Sequence, residues 1–326
     1  MSNNFWNEKN VFVTGADGFI GGWLTKYLVN NGANVFVIIR DIKKKCSLDL
    51  LGIKEKVHII IGDILDRELV ERVMNEKQIN VCFHLAAQAI VGIANSSPIS
   101  TFETNIKGTW NILEACRLHK VDRIIVASSD KAYGVHRELP YTEEAPLNGV
   151  YPYDASKVCV DVLARSYAKS FGMKVAVTRN ANTYGGADLH FDRIIPGALK
   201  SIFTNQELII RSDGTPERDY MYVKDAAEAY LLLAENLHHP EVIGGAFNFG
   251  TGEPVSVLDV FKRIVNITGK NTTINILGKA KNEIDRQYLC IDKVKKLLNW
   301  KPKYSLNDGL KETIDWYQEY FKNNPN

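Results

Sequence analysis

The chain has 326 residues, 45% of them hydrophobic, with 40 Lys and Arg against 38 Asp and Glu for a net charge of +2. That length and apolar content can fill one large core or two coupled ones. The even charge balance excludes the basic face of a nucleic-acid binder, and no apolar run is long enough to span a bilayer.

The opening residues MSNNFWNEKN lack the apolar stretch of a secretory leader. Cys46, Cys82, Cys116, Cys159 and Cys290 are scattered with no CxxC spacing. They read as reduced thiols of a cytoplasmic protein, and no metal site is expected. NVFVTG (Asn10 to Gly15) reads as a buried strand, and Ile20 to Asn31 as a helix stopped by Gly32. ANVFVII, VHIIIGD and NVCFHLA come next as strands, with a helix over Leu65 to Lys77 before the last of them. A helix over Thr104 to Lys120, the strand DRIIVASS, a long helix from Tyr153 to Phe171 and the strand KVAVTR complete the first half. Alternating βαβα units with nearly continuous apolar strands predict an α/β, doubly wound parallel sheet of the Rossmann type, covered on both faces.

After Arg179 the segments shorten and Gly and Pro become frequent. The expected division is a dinucleotide-binding domain over 1–178, to which some later segments (about 219–250) return. A smaller C-terminal α/β substrate domain occupies most of 179–326. It should sit over the C-terminal edge of the sheet, where such sheets bind ligands.

The first strand runs into Gly15-Ala-Asp-Gly18-Phe19-Ile20-Gly21 and then a helix. Glycines at these places allow a tight turn and close backbone approach to a pyrophosphate at the helix N-terminus. Asp41 lies about twenty residues further on, where an acid can hold the ribose 2′-hydroxyl of NAD. Arg40, with Lys43, Lys44 and Lys45 nearby, could instead accept the extra phosphate of NADP. NAD is slightly preferred and NADP stays open. Asp63, with Ile64 beside it, either meets the adenine edge or serves as a turn residue.

Tyr153 and Lys157 are four apart on one helical face. A phenol titrates near ~10, so it is a poor base alone; a nearby ammonium and a cationic nicotinamide favour the phenolate and lower that value. Such a tyrosine can take a hydroxyl proton while hydride leaves the carbon.

The stretches TGADGFIGG, GDILD, HLAAQ, TNIKGTWNILEAC, SSDKAYG, YPYDASK, RNANTYGG, RDYMYVKDAAEAY, FNFGTGE and LLNWKP cover nearly the whole chain. Together they make it resemble the extended short-chain dehydrogenase/reductases that act on nucleotide sugars. The resemblance implies a tightly held NAD(P), a nucleotide-diphosphate sugar as substrate, and a homodimer formed through the helices Thr104 to Lys120 and Tyr153 to Phe171. It also implies that Ser129, Tyr153 and Lys157 are catalytic, that Leu85, Ala86, Ala87 and Gln88 line the cofactor, and that Asn105 braces the site. Asn182 falls in the RNANTYGG substrate motif. Arg218 and Arg286 match the family's phosphate-binding arginines, with Arg193 and Arg211 as further candidates.

The residues directly after Ser129 divide the family. A 4-epimerase oxidises and re-reduces C4 and needs no further acid or base there. A 4,6-dehydratase must also take the C5 proton and expel the C6 hydroxyl. Many dehydratases carry Thr-Asp-Glu at this tip; this chain has Ser129-Asp130-Lys131. It is similar in this to CDP-glucose 4,6-dehydratases. Asp130 would be the acid and Lys131 the C5 base, if burial and nearby cations lower the lysine's pKa. The bland alternative is a local ion pair. An NDP-hexose 4,6-dehydratase is the first reading, a 4-epimerase the second, and a dinucleotide sensor without turnover the third.

Overall fold

The computed structural model describes residues 5–42, 45–270, 272–279 and 284–324. In the first half, strands β1 (Asn10–Thr14), β2 (Asn34–Ile39), β3 (His58–Ile61), β4 (Val81–His84), β5 (Arg123–Ala127) and β6 (Val175–Asn180) alternate with helices. These are α1 (Phe19–Asn30), α2 (Ser47–Leu50), α3 (Arg67–Glu76), α4 (Val91–Ser96), α5 (Pro98–Phe102), α6 (Gly108–Leu118) and α7 (Pro152–Phe171). The second half opens with β7 (Asn182–Tyr184), α8 (Ile194–Phe203), β8 (Leu208–Ile210), β9 (Glu217–Tyr222), α9 (Val223–Glu235) and β10 (Ala246–Phe249). It closes with β11 (Pro254–Ser256), α10 (Val257–Thr268), β12 (Ile274–Ile276), β13 (Arg286–Gln287), α11 (Asp292–Leu298) and α12 (Leu306–Asn323).

Seven strands form one parallel sheet in the order β10-β6-β5-β4-β1-β2-β3, a Rossmann-like arrangement. The strands are apolar along their length because both faces are covered. On one face Val11, Val13, Val35, Val37 and Phe83 pack with Leu24 and Leu28 of α1 and Leu233 of α9. On the other, Phe12, Phe36, Cys82 and Ile124 pack with Val73 of α3, Ile112 of α6 and Val160 of α7. Each such side chain contributes about 1.5–3 kcal/mol on burial. Later chain thus belongs to this layer: α9 covers the sheet beside α1, and β10 extends it beyond β6. The remaining strands form two small sheets, β11-β9-β13 with β7 on β9, and β12-β8.

The expected helix over Thr104 to Lys120 differs in the structure. Helix begins at Pro98, passes through a π-helical stretch at Glu103–Lys107 and continues as α6. The wider π turn inserts a residue into the helical register, and buried Asn105 lies in that stretch. Among the described residues no helix is long and apolar enough to cross a membrane.

Candidate active site

β1 lies between β2 and β4. The chain leaves β1 toward one side of the sheet and later returns to the other, which opens a crevice at the C-terminal strand ends. Gly15 crosses it with φ +74°, and a Cβ there would stand 2.8 Å from the Ala86 nitrogen. A Cβ at Gly21 would stand 2.1 Å from the Gly15 carbonyl oxygen. Gly18 is the N-cap of α1, its N–H donates to the Gly15 carbonyl at 3.1 Å, and the first turn of α1 carries no acid. Phe19 is buried and Ile20 half-buried just behind. A helix N-terminus opening from backbone that admits no side chains fits the pyrophosphate of a dinucleotide.

At the end of β2, Arg40 donates Nε and Nη2 to Asp41 Oδ2 at 2.9 and 2.7 Å, both residues exposed. Lys43 and Lys44 lie outside the described residues. Asp63 comes after β3 and its Oδ1 accepts from Leu65 N–H at 3.0 Å, the bond of a turn residue; Ile64 beside it is buried.

After β4, the Leu85 and Ala86 N–H groups both donate to Thr14 Oγ1 at 3.1 Å. Thr14 therefore gives its own proton to His84 Nδ1 at 2.8 Å, which puts the ring proton on Nε2, 2.9 Å from Thr109 Oγ1. Burial, reinforced by the charge of Lys157, holds His84 neutral with its pKa down at about 3. Past Ala87, Gln88 N–H donates to Asn105 Oδ1 at 2.7 Å, and Asn105 Nδ2 reaches Gln88 O at 3.2 Å and Ser156 Oγ at 2.8 Å. Ser156 in turn donates to the Tyr153 carbonyl at 2.6 Å. Asn105 thus ties the end of β4 to the first turn of α7.

Ser129, Asp130, Lys131, Tyr153 and Lys157 come together above β5. A short helical turn over Asp130–Tyr133 begins at Ser129, whose Oγ accepts from Lys131 N–H at 3.2 Å and donates to Asp130 Oδ1 at 3.0 Å. Lys157 Nζ donates to the Ala127 carbonyl at 2.8 Å, and Ser128 Oγ to the Lys157 carbonyl at 3.1 Å. Burial brings the Lys157 ammonium down to about 8.

The Tyr153 phenol differs from the sequence expectation. Burial pushes it up to about 12, although its hydrogen bond with Ser129 and the charge of Arg193 pull it down; Asp130 and Asp154 add to the rise. The protein's own groups leave the phenol protonated. Asp154, next along α7, is itself buried beside Asp130 and Lys131, and burial raises its carboxyl to about 6.

The second half of the chain closes over this cluster. Arg193 Nη1 is 2.8 Å from Asp188 Oδ2 and within electrostatic reach of Tyr153. Half-buried Asn182 opens β7, in register with Tyr220 of β9. Half-buried Arg218 donates to the Glu217 carbonyl at 2.8 Å. Arg211 is exposed, 3.8 Å from Asp192, and Arg286 is exposed in a 2.5 Å pair with Glu217. Arg286 thus takes the surface ion-pair arrangement that such arginines commonly adopt.

Sequence reasoning missed Gln287, which is wholly buried, accepts from the Lys131 ammonium and donates to the Asp130 carbonyl at 3.1 Å. The signal was strand alternation: if Arg286 faces out, its neighbour faces in. Asp154 and His84 were inside quoted motifs but were given no role.

The GDP-mannose 4,6 dehydratase family model matches residues 12–313. CDP-glucose 4,6-dehydratase of Salmonella typhimurium is 30% identical over 340 residues, covering 99% of this chain and 94% of that protein. UDP-glucose 4-epimerase of Thermotoga maritima, solved with UDP-glucose, superposes with a TM-score of 0.88 at 30% identity, covering 96% and 99% of the two chains. dTDP-glucose 4,6-dehydratase of Bacillus anthracis, solved with NAD, does so with a TM-score of 0.86 at 26% identity, covering 96% and 98%.

Proposed function

The chain belongs to the GDP-mannose 4,6-dehydratase family, and we propose that it is an NDP-hexose 4,6-dehydratase of the CDP-glucose type, making a 4-keto-6-deoxy sugar nucleotide. The observation that carries this reading is the buried acid beside a lysine directly after Ser129. C4 oxidation alone has no use for either group.

When bound, a nicotinamide dinucleotide would supply the hydride chemistry that oxidation at C4 and reduction at C6 require. The glycine loop, Leu85 to Gln88, and Asp41 would hold it, with NAD favoured by the acid at the end of β2. Tyr153 takes the C4 hydroxyl proton, Ser129 holds that oxygen, and Lys157 keeps a positive charge beneath the ring pocket. Because burial, with Asp130 and Asp154, sets the phenol high, positive charge near it would be needed to favour the phenolate. Ketone formation acidifies C5–H, so Lys131, as the free amine, can remove that proton while Asp130 protonates the departing C6 hydroxyl, releasing water. The resulting ammonium and carboxylate are chain neighbours and reset by passing one proton between them. Half-buried Arg218 is our first candidate cation for the diphosphate, with Arg193 and Asn182 as further substrate contacts; Arg193, Arg211 and Arg286 would each have to leave an ion pair to join.

We place the dinucleotide-binding unit in 1–178 with 219–250, and most substrate contacts in the rest of 179–326. The enzyme is proposed as a cytoplasmic homodimer. All five cysteines are free thiols, and α5 to α7 expose Ile99, Phe102, Trp110, Leu118, Val162 and Phe171. The epimerase reading is favoured by the likeness to the Thermotoga maritima enzyme.

Incubation with CDP-glucose, UDP-glucose, dTDP-glucose, GDP-mannose and UDP-GlcNAc, then mass spectrometry, separates the readings. A dehydratase product is lighter by one water. A product of unchanged mass but new sugar identity would establish the epimerase instead, and no product would leave a sensor.

A further inference from the structure

The active-site turn is gripped from two sides. Beneath it, Tyr133 donates to Asn248 Oδ1 at 2.7 Å and accepts from Arg179 Nη1 at 2.8 Å. The Asn148 and Gly149 N–H groups bond the Tyr133 and Ala132 carbonyls at 3.1 Å. These contacts fix the backbone of Asp130–Tyr133, and the long side chain of Lys131 has four rotatable bonds beyond it. From above comes one amide. Gln287 is paired with Arg218 in the β13–β9 register and has no exposed surface. Its Oε1 accepts from Lys131 Nζ while its Nε2 donates to the Asp130 carbonyl at 3.1 Å.

We propose that Gln287 is a positioning residue for water elimination, holding the Lys131 nitrogen and the Asp130 peptide at a fixed separation from its place on the second half of the chain. This rests on the dehydratase reading. An amide suits the task because its oxygen accepts an N–H from either an ammonium or an amine. The Lys131 lone pair, once free, is then directed away from Gln287 and available for C5–H. A carboxylate in the same place would favour the charged lysine and disable it as a base. The amide also couples the two halves: Gln287 holds Lys131 while β13 is docked on the turn.

The test uses the full-length holoenzyme and the nucleotide sugar that the wild type dehydrates. Gln287→Met keeps the volume and loses both hydrogen bonds; Gln287→Glu keeps an acceptor but makes it anionic. In both, C4 oxidation, seen as reduced-nicotinamide absorbance, is expected at near the wild-type rate. That absorbance should persist, because C5 deuterium uptake from D2O and loss of water each fall about tenfold or more. A purely structural role would depress oxidation and elimination together, and that outcome overturns the assignment. So does wild-type water loss by Gln287→Met or, should that variant not fold, by Gln287→Glu. A wild type that never loses water with any nucleotide hexose overturns the dehydratase reading and this assignment with it; a wild type that does, beside unaffected variants, overturns this assignment alone.

Discussion

Arg179 and Asp161 form a two-pronged ion pair in the core, Nε to Oδ2 at 2.8 Å and Nη2 to Oδ1 at 3.0 Å, with both side chains at most 1% exposed. The pair joins β6 to the middle of α7, and Arg179 goes on to hold Tyr133 under the active-site turn. Removing one partner leaves a buried charge without its close mate; Asp161 would keep only the looser, exposed Arg165 at 3.7 Å among the described residues. Asp161→Asn and Arg179→Met should each lower unfolding stability by about 3–5 kcal/mol in urea titrations. A loss under about 1 kcal/mol would mean that the pair is not sealed from water.

Two substitutions should split the reaction at different places. Tyr153→Phe removes the proposed proton acceptor for C4 oxidation, so no reduced nicotinamide should build up and turnover should fall by about 10²–10⁴. Lys131→Ala leaves that step standing and removes the proposed C5 base, so reduced nicotinamide should appear while product mass stays unchanged. Stopped-flow absorbance paired with mass spectrometry reads both. Full dehydration by Lys131→Ala would return Asp130 and Lys131 to the status of a local ion pair.

The sheet and the glycine turn were legible because their constraints are local. A strand covered on both faces must be apolar throughout, as Val11 to Val13 are. Gly15 and Gly21 stand where backbone passes too close for any side chain. Tyr153 and Lys157 could be linked by helical spacing alone. Gln287 could not be found that way, because its role depends on a residue 156 positions earlier in the chain. The upward push on Tyr153 in the chain without dinucleotide was also not legible, because an ammonium nearby in sequence is easily counted, whereas the desolvation of a phenol is set by everything packed around it. The π stretch that brings Asn105 to Gln88 and Ser156 has no compositional mark in TNIKG.

Asp154 should leave a signature in the pH dependence of stability. Burial raises its carboxyl to about 6, with Lys131 opposing and Asp130 adding. Against an unfolded value near ~3.9, the folded state binds this proton more tightly, so the contribution is fully present below about pH 4 and lost as pH rises to about 6. Asp154→Asn removes the cost of ionising there. The variant should gain on the order of 1 kcal/mol relative to wild type at about pH 8 and nothing at about pH 4, after allowance for solvent screening. Denaturant titrations at the two pH values decide it, and a gain that does not change with pH would show that the carboxyl is not the cause.

Trp110 is 43% exposed on α6, and Val162 and Phe171 are each 55% exposed on α7, beside Ile99 at 74% just upstream. Large side chains left this open on adjoining helices form a patch that a monomer seldom keeps, and a second copy of the same face can cover it by two-fold symmetry. Around Phe171 the polar rim is already arranged: the Arg117 guanidinium lies 5.2 Å over its ring and pairs with Glu114 at 2.7 Å. Trp110→Glu places a charge on that face, and across a two-fold axis it places two. The substitution should convert the proposed dimer to monomer in light scattering while leaving the fold intact, since the side chain is not part of either core cluster. Because Asn105 lies in the π stretch between α5 and α6, a monomer should also hold the dinucleotide more weakly. A wild-type chain that scatters as a monomer at micromolar concentration would refute the pairing and leave the patch for a different partner.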